Sequence, residues 1–322
     1  MDPKLSNTIS IIKVLGAIIV TCAHYAPHYL NIKFYSFGTC LFLILTGLYT
    51  YNFEKTTGVK YLVKRIVRLL PGFLIASILY LVISNYEYRE WPGLLFQHAT
   101  FLIFSENVKS TMTINPAFWV MPVFMTFYIF FSIFHEVKTS FNKTITLIAS
   151  SLILDYSGIS NYSFIGFVFI ASIGVFFYMI YIGSYIGKIY NKISINKCFA
   201  DFGVLTLITL VIFSGLLFPM FATEPRASLY NLYVTTLYSL LILFLLKSSF
   251  TEKSYKLITF LSQIGFGIYL LHNFSMELLK SYISGISGAL AAFAFTILIS
   301  WLIYKFIEQP IYLKLIKRKW NQ

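Results

Sequence analysis

The chain reads as an all-α, polytopic bundle of membrane-spanning helices, and three observations predict it. Of its 322 residues, 58% are hydrophobic and only 11% charged, where a soluble domain carries about 25% charged residues. Apolar stretches long enough for a helix to cross the hydrocarbon core recur along the whole chain. Aromatic residues reach 19%, a content that suits interfacial belts. A soluble globular enzyme is excluded. Cys22, Cys40 and Cys198 lie too far apart for a disulfide framework or a metal-ligand pattern, so no metal is expected.

Ten spans are predicted in order: 8–27, 34–52, 66–85, 116–135, 143–160, 163–187, 202–222, 228–247, 257–276 and 286–307. The first runs on into further spans without a small-residue cleavage site, so no cleavable leader is expected. The fifth is the weakest, cut short by Asp155 and a Ser/Gly/Asn cluster. The stretch 92–105 is too short to cross and is expected to form an interfacial or re-entrant helix. Residues 1–322 form one membrane domain in this reading, with no soluble domain between spans.

Loop cations set the orientation. With the N-terminus inside, Lys33, Arg89, Lys109, Arg226 and Lys280 fall on outer loops, and the other twenty of the 25 Lys and Arg fall on inner segments. The twelve acidic residues divide evenly. Both termini are therefore expected in the cytoplasm. The net charge of +13 reads as topology, and no nucleic-acid partner is expected.

Ionisable groups at membrane depth are costly and are functional candidates. Lys13 and His24 lie in the first span, eleven residues apart. That spacing is about three helical turns, so they share a face about 16 Å apart along the axis. Gly16, Ala17 and Val20 lie between them and either leave a groove or admit a close helix neighbour. Lys13 snorkelling inward and His24 resting at the outer interface is the bland alternative. Arg65 and Arg68 share a face at the start of the third span, and Pro71 is expected to interrupt that helix one turn later. Two guanidinium forks suit a phosphate-rich ligand, and anchoring to anionic head groups is the competing reading. In the ninth span Ser262, Gly265, Tyr269 and His272 form a stripe. His272 falls at a depth comparable with His24, as a second interfacial residue or as part of one site.

The absences discriminate too. No Asp or Glu falls well inside a confident span, which weighs against a proton-coupled carrier. No P-loop, HExxH or GxSxG motif supports an NTPase, metalloprotease or hydrolase.

Six segments, in order, resemble the acyltransferase-3 family of integral-membrane O-acyltransferases. ISIIKVLGAIIVTCAHY is similar to the family's first helix, with Lys13 in place of its usual Arg, then ten residues, then His24. CLFLILTGLYTY resembles FFxLSGFxI, with Thr46 for Ser before Gly47. KRIVRLLP resembles RRxxRIxP and places Arg65, Arg68 and Pro71. FWVMPVFMTFY resembles the fourth-span motif through Trp119 and Tyr128. IGFGIYLLH is similar to ISYxLYLLH, and IEQP to the closing ExP through Glu308 and Pro310. Phe124 and Met125 stand where many members carry Glu, and Ala117 where many carry His. These departures place more of the chemistry on His24 and resemble the capsule and biofilm-polysaccharide branch.

The resemblance implies transfer of an acyl group, most often acetyl, from acyl-CoA to a hydroxyl of a surface glycan or its lipid-linked precursor at the outer face of the cell membrane. Acyl-CoA is then a co-substrate, with no resident cofactor. It implies His24 as the catalytic residue, acting as general base or transient acyl carrier. Lys13, Arg65 and Arg68 would hold the acyl-CoA head, with its arm along the Gly16/Ala17 groove, while Trp119, Tyr269 and His272 serve the acceptor or positioning, His272 either orienting the His24 imidazole or holding the acceptor hydroxyl. Membrane lipid is the remaining partner. A glycan exporter or flippase, with the Arg pair as a lipid-phosphate site, is the rival reading, and a non-catalytic assembly subunit is another.

Overall fold

The computed structural model describes residues 3–32, 38–54, 56, 58–84, 86–100, 115, 118, 120–134, 149, 165–217, 227–253 and 255–317. The described elements are helical throughout: α1 Pro3–Leu30, α2 Thr39–Phe53, α3 Gly58–Ile83, α4 Trp91–Thr100, α5 Val120–Phe134, α6 Ile165–Ile189, α7 Lys197–Leu217, α8 Ala227–Lys247, α9 Lys256–Leu279 and α10 Gly285–Ile303. Beyond α10 the helix continues through a widened turn at Tyr304–Glu308, a short α segment at Gln309–Tyr312 and a second widened turn at Leu313–Lys317. Among the described residues, six helices are long and apolar enough to cross a membrane: α1, α3, α7, α8, α9 and the helix from Gly285 to Leu315. Helices α2, α5 and α6 coincide with three more of the predicted spans. The fifth predicted span falls almost wholly outside the described residues. α4 is the short helix expected near residue 92.

Local chemistry sets the boundaries. Pro3 opens α1, where its missing N–H costs nothing. Asn31 closes it at φ 52°, a left-handed conformation that Asn tolerates better than most residues. Asn196 caps the start of α7 by accepting from the Cys198 N–H at 2.9 Å. Pro71 does not interrupt its helix: α3 runs unbroken from Gly58 to Ile83. A membrane helix tolerates the lost hydrogen bond because neighbouring groups re-satisfy the freed carbonyl. The helix also begins earlier than predicted, so Arg65 and Arg68 stand two to three turns in rather than at its start.

α2 is the buried centre: Cys40, Leu41, Leu43, Ile44 and Leu48 are fully enclosed. It packs most closely on α6, where Gly47 lies against the Ile180 carbonyl and Gly183 against the Ile44 carbonyl. A Cβ at either glycine would overlap backbone, so only glycine allows this approach. Ser184 Oγ donates to the Gly47 carbonyl at 3.1 Å across the same crossing. α1 packs between α2 and α9, and α9 against α10. Phe202, Leu205, Phe213, Leu290 and Phe306 are exposed on the perimeter, as lipid-facing residues are.

The small-residue face of α1 is not a groove. Gly16 is covered by the Phe42 ring and Leu41, and Ala17 is buried with Ile264 and Ile268 of α9. Small residues here admit close neighbours, and the expected channel for a donor arm along Gly16 and Ala17 is filled.

Candidate functional site

The space lies on another side of α1. A cavity of about 380 Å³ opens among α1, α2, α3, α5, α9 and the last helix. Its polar wall includes Lys13, Arg65, Arg68, Thr46, Ser262, Gln263 and Glu308, and its apolar wall includes Phe42, Leu45, Phe124 and Phe266. Tyr49, Tyr128 and Tyr269 complete much of the lining. Lys13, Arg65 and Arg68 thus meet in one place. Gly265, of the α9 stripe, faces Lys13 at ordinary van der Waals distance.

The two arginines differ in kind. Arg65 is buried, and its Nη2 donates to Glu54 Oε2 at 2.8 Å. Its guanidinium lies 5.0 Å from the ring centres of Tyr49 and Tyr61 and 5.4 Å from that of Tyr128, within cation–π range. Lys64 also pairs with Glu54, at 3.2 Å. Burial pushes the Glu54 carboxyl up, but the Thr56 hydrogen bonds and the charges of Arg65 and Lys64 outweigh it and hold the group below the usual glutamate range. Arg68 is exposed to the cavity and has no ion pair within 4.0 Å among the described residues. Arg65 is a fixed part of the wall, whereas Arg68 presents a fork that a ligand can take.

At the other end of α1 and α9, His24 and His272 come together with ring centroids 4.9 Å apart and planes inclined at 48°. They form one site. His272 is fully enclosed and His24 half-buried. His272 Nδ1 lies 2.7 Å from the Tyr269 carbonyl. A carbonyl only accepts, so Nδ1 carries the proton and Nε2 of the neutral ring presents its lone pair. Nε2 has no hydrogen-bond partner among the described residues. The backbone around the pair is clamped: Tyr25 Oη donates to the His272 carbonyl at 2.9 Å and contacts Thr296 Oγ1 at 3.0 Å. Asn115 Nδ2 donates to the Leu270 carbonyl at 3.0 Å, and Asn273 Nδ2 to Asn115 Oδ1 at 3.1 Å.

Tyr269 links the two ends. It lines the cavity, stands one turn before His272, and its ring centre lies 6.2 Å from that of His272 and 5.4 Å from that of Phe42. Trp119, expected to position the acceptor, lies outside the described residues. Sequence reasoning missed Glu54 altogether, and quoted Glu308 only within its motif. Glu54 sits eleven residues before Arg65, but the loop between α2 and α3 intervenes, so no helical periodicity signals the pairing.

The family model described as an acyltransferase domain, acyltransferase-3, matches residues 7–305. No curated protein and no solved structure matches the chain.

Proposed function

The chain belongs to the acyltransferase-3 family, and from that premise we propose that this multi-pass membrane acyltransferase moves an acyl group, acetyl in the first instance, from acyl-CoA to a hydroxyl of a surface polysaccharide or its lipid-linked precursor. The observation that carries the reading is the pairing of two unlike ends on the same helices. A cation-lined cavity lies against the N-terminal parts of α1 and α9, and a histidine pair lies toward their C-terminal ends, with Tyr269 between them. A donor with an anionic head and a long thin arm fits that layout. Its phosphates meet Arg68 and Lys13, with Arg65 held beside them by Glu54. Its arm runs along the apolar cavity wall past Phe42 and Tyr269 toward the histidines.

In the transfer step His24 takes the proton of the acceptor hydroxyl. The oxygen attacks the acyl carbon, the new C–O bond forms, and the C–S bond breaks. The thiolate leaves and is protonated, so that an ester and a free thiol result. The His272 ring, packed against that of His24 with centroids 4.9 Å apart, orients the imidazole that acts as base. Arg65 and Arg68 serve the donor in this reading, with Arg68 as the direct phosphate ligand. The protein would lie in the cytoplasmic membrane, with the cavity facing the cytoplasm where the donor is made.

The test uses protein purified into lipid nanodiscs, with acetyl-CoA and no ion gradient. Thiol release that depends on added glycan, together with new O-acetyl signals in the glycan's NMR spectrum, is the expected result. Glycan movement across vesicles that needs a gradient and releases no thiol would make the protein an exporter instead.

A further inference from the structure

The cavity that collects cations also holds one carboxylate, Glu308. A negative group in a site for a polyanion weakens the attraction for phosphates, so its presence calls for a physical reason. Its placement is built rather than incidental. Oε1 of Glu308 is seated on Gly72 of α3, where a Cβ would overlap it. The residue closes the widened helical turn Tyr304–Glu308, a departure from regular helix that is frequent at functional sites. The same turn and the residues after it bring Tyr304, Glu308 and Gln309 to the cavity wall together. Oε1 is buried and has no hydrogen-bond partner among the described residues. A buried polar atom left without a partner is costly and asks for one. Arg68 interacts with Glu308 electrostatically, but no ion pair within 4.0 Å joins them among the described residues.

We infer that Glu308 is a recognition group for the donor: its carboxylate accepts a hydrogen bond from an N–H of the acyl donor, an amide on the arm or an amino group on the head. The inference rests on the acyl-CoA reading of the cavity. It assigns the cavity two kinds of contact, cations for the phosphates and one acceptor for an N–H. Together they favour nucleotide-linked, amide-bearing donors over plain polyphosphates or acyl phosphates, which offer charge without the N–H. Gly72 is the positioning residue, because a Cβ there would displace the carboxylate from its seat.

Binding of CoA and of tripolyphosphate to the purified protein in nanodiscs tests this. Both probes carry phosphate charge, and CoA alone carries N–H groups. Glu308→Ala should weaken CoA binding by about tenfold or more, the range of a hydrogen bond to a charged group, and leave tripolyphosphate binding unchanged or tighter. Glu308→Gln keeps an acceptor oxygen and should lose less CoA affinity than Glu308→Ala. Gly72→Ala keeps the charge but displaces the carboxylate, and should reproduce the Glu308→Ala pattern. Tighter binding of both probes to Glu308→Ala and Glu308→Gln alike would overturn the inference, making Glu308 a countercharge only. Equal weakening of both probes would overturn it too, making Glu308 a structural residue. Wild-type protein that binds tripolyphosphate but not CoA would instead remove the acyl-CoA reading on which the inference stands.

Discussion

The two ends of α1 and α9 are built from opposite materials. Toward their N-terminal ends the polar groups include basic side chains around an open cavity, with Arg68 exposed to it and Lys13 half-buried. Toward their C-terminal ends His272 is enclosed, its Nδ1 is hydrogen-bonded to the Tyr269 carbonyl, and its helix is tied by Tyr25 and Asn115. Charge with room around it suits capture of a soluble anion. An enclosed histidine held in one tautomer suits the orienting of a neighbouring base, here the half-buried His24. The proposed function puts affinity and chemistry at different ends of the same helices, with Tyr269 lining the cavity and its ring centre 6.2 Å from that of His272.

That division can be broken by variants at each end, because each end has its own kinetic signature. The largest effect is expected from His24→Ala. Its kcat should fall about 10²–10⁴-fold, the usual contribution of a general base, while the apparent KM for acetyl-CoA stays within a few-fold of wild type. A raised KM with unchanged kcat would put His24 in the donor site instead. Arg68→Ala should do the reverse, raising the KM for acetyl-CoA by about tenfold to a hundredfold, as for a lost charge-assisted hydrogen bond, with kcat little changed. Arg68→Lys should recover only part, since the bidentate fork is gone, and Lys13→Arg should be tolerated. Donor titrations identical to wild type in Arg68→Ala would return the residue to head-group anchoring. His272→Asn should reduce kcat less than His24→Ala and shift the pH profile, because a partner that orients the base is lost while the base remains. A matching fall in thermal stability with no change in the pH profile would mark His272 as packing alone.

How much of this the sequence shows can be judged residue by residue. The helical positions of Lys13, His24, Arg65, Arg68 and His272 follow from spacing within single helices, and the structure gathers them into two clusters, Lys13 with Arg65 and Arg68, and His24 with His272. What spacing does not carry is what stands opposite a residue. Gly16 and Ala17 are small, but whether a small residue leaves space or receives a neighbour depends on Phe42 and Ile264 from other helices. Pro71 has the same local chemistry anywhere, yet its consequence depends on what re-satisfies the freed carbonyl. Glu54 lies in a connection with no period to read, and Glu308 gains its place only through the notch at Gly72.

The smallest expected effect concerns Glu54, on the inner side of the comparison. Its carboxyl is held below the usual glutamate range in the fold, so its ion pairs are intact at neutral pH. Their stabilisation is lost only as the pH falls through and below that range. Thermal stability of the wild-type protein should therefore drop on acidification, and Glu54→Gln should be less stable at pH 7 and lose that increment of acid sensitivity. Parallel stability curves for the two proteins from neutral to acid pH would show that the pair with Arg65 contributes nothing.

The central claim is that a donor held at the inner cavity delivers its acyl carbon to the histidine pair. An acyl-CoA carrying a diazirine in its acyl group, irradiated with the intact protein in nanodiscs and followed by peptide mapping, tests it most directly. The account predicts labelling on α1 around residues 20–28 and on α9 around residues 268–275, competed away by unlabelled acetyl-CoA. Labelling confined to residues 65–69 and 304–313, with none near His24 or His272, would contradict it.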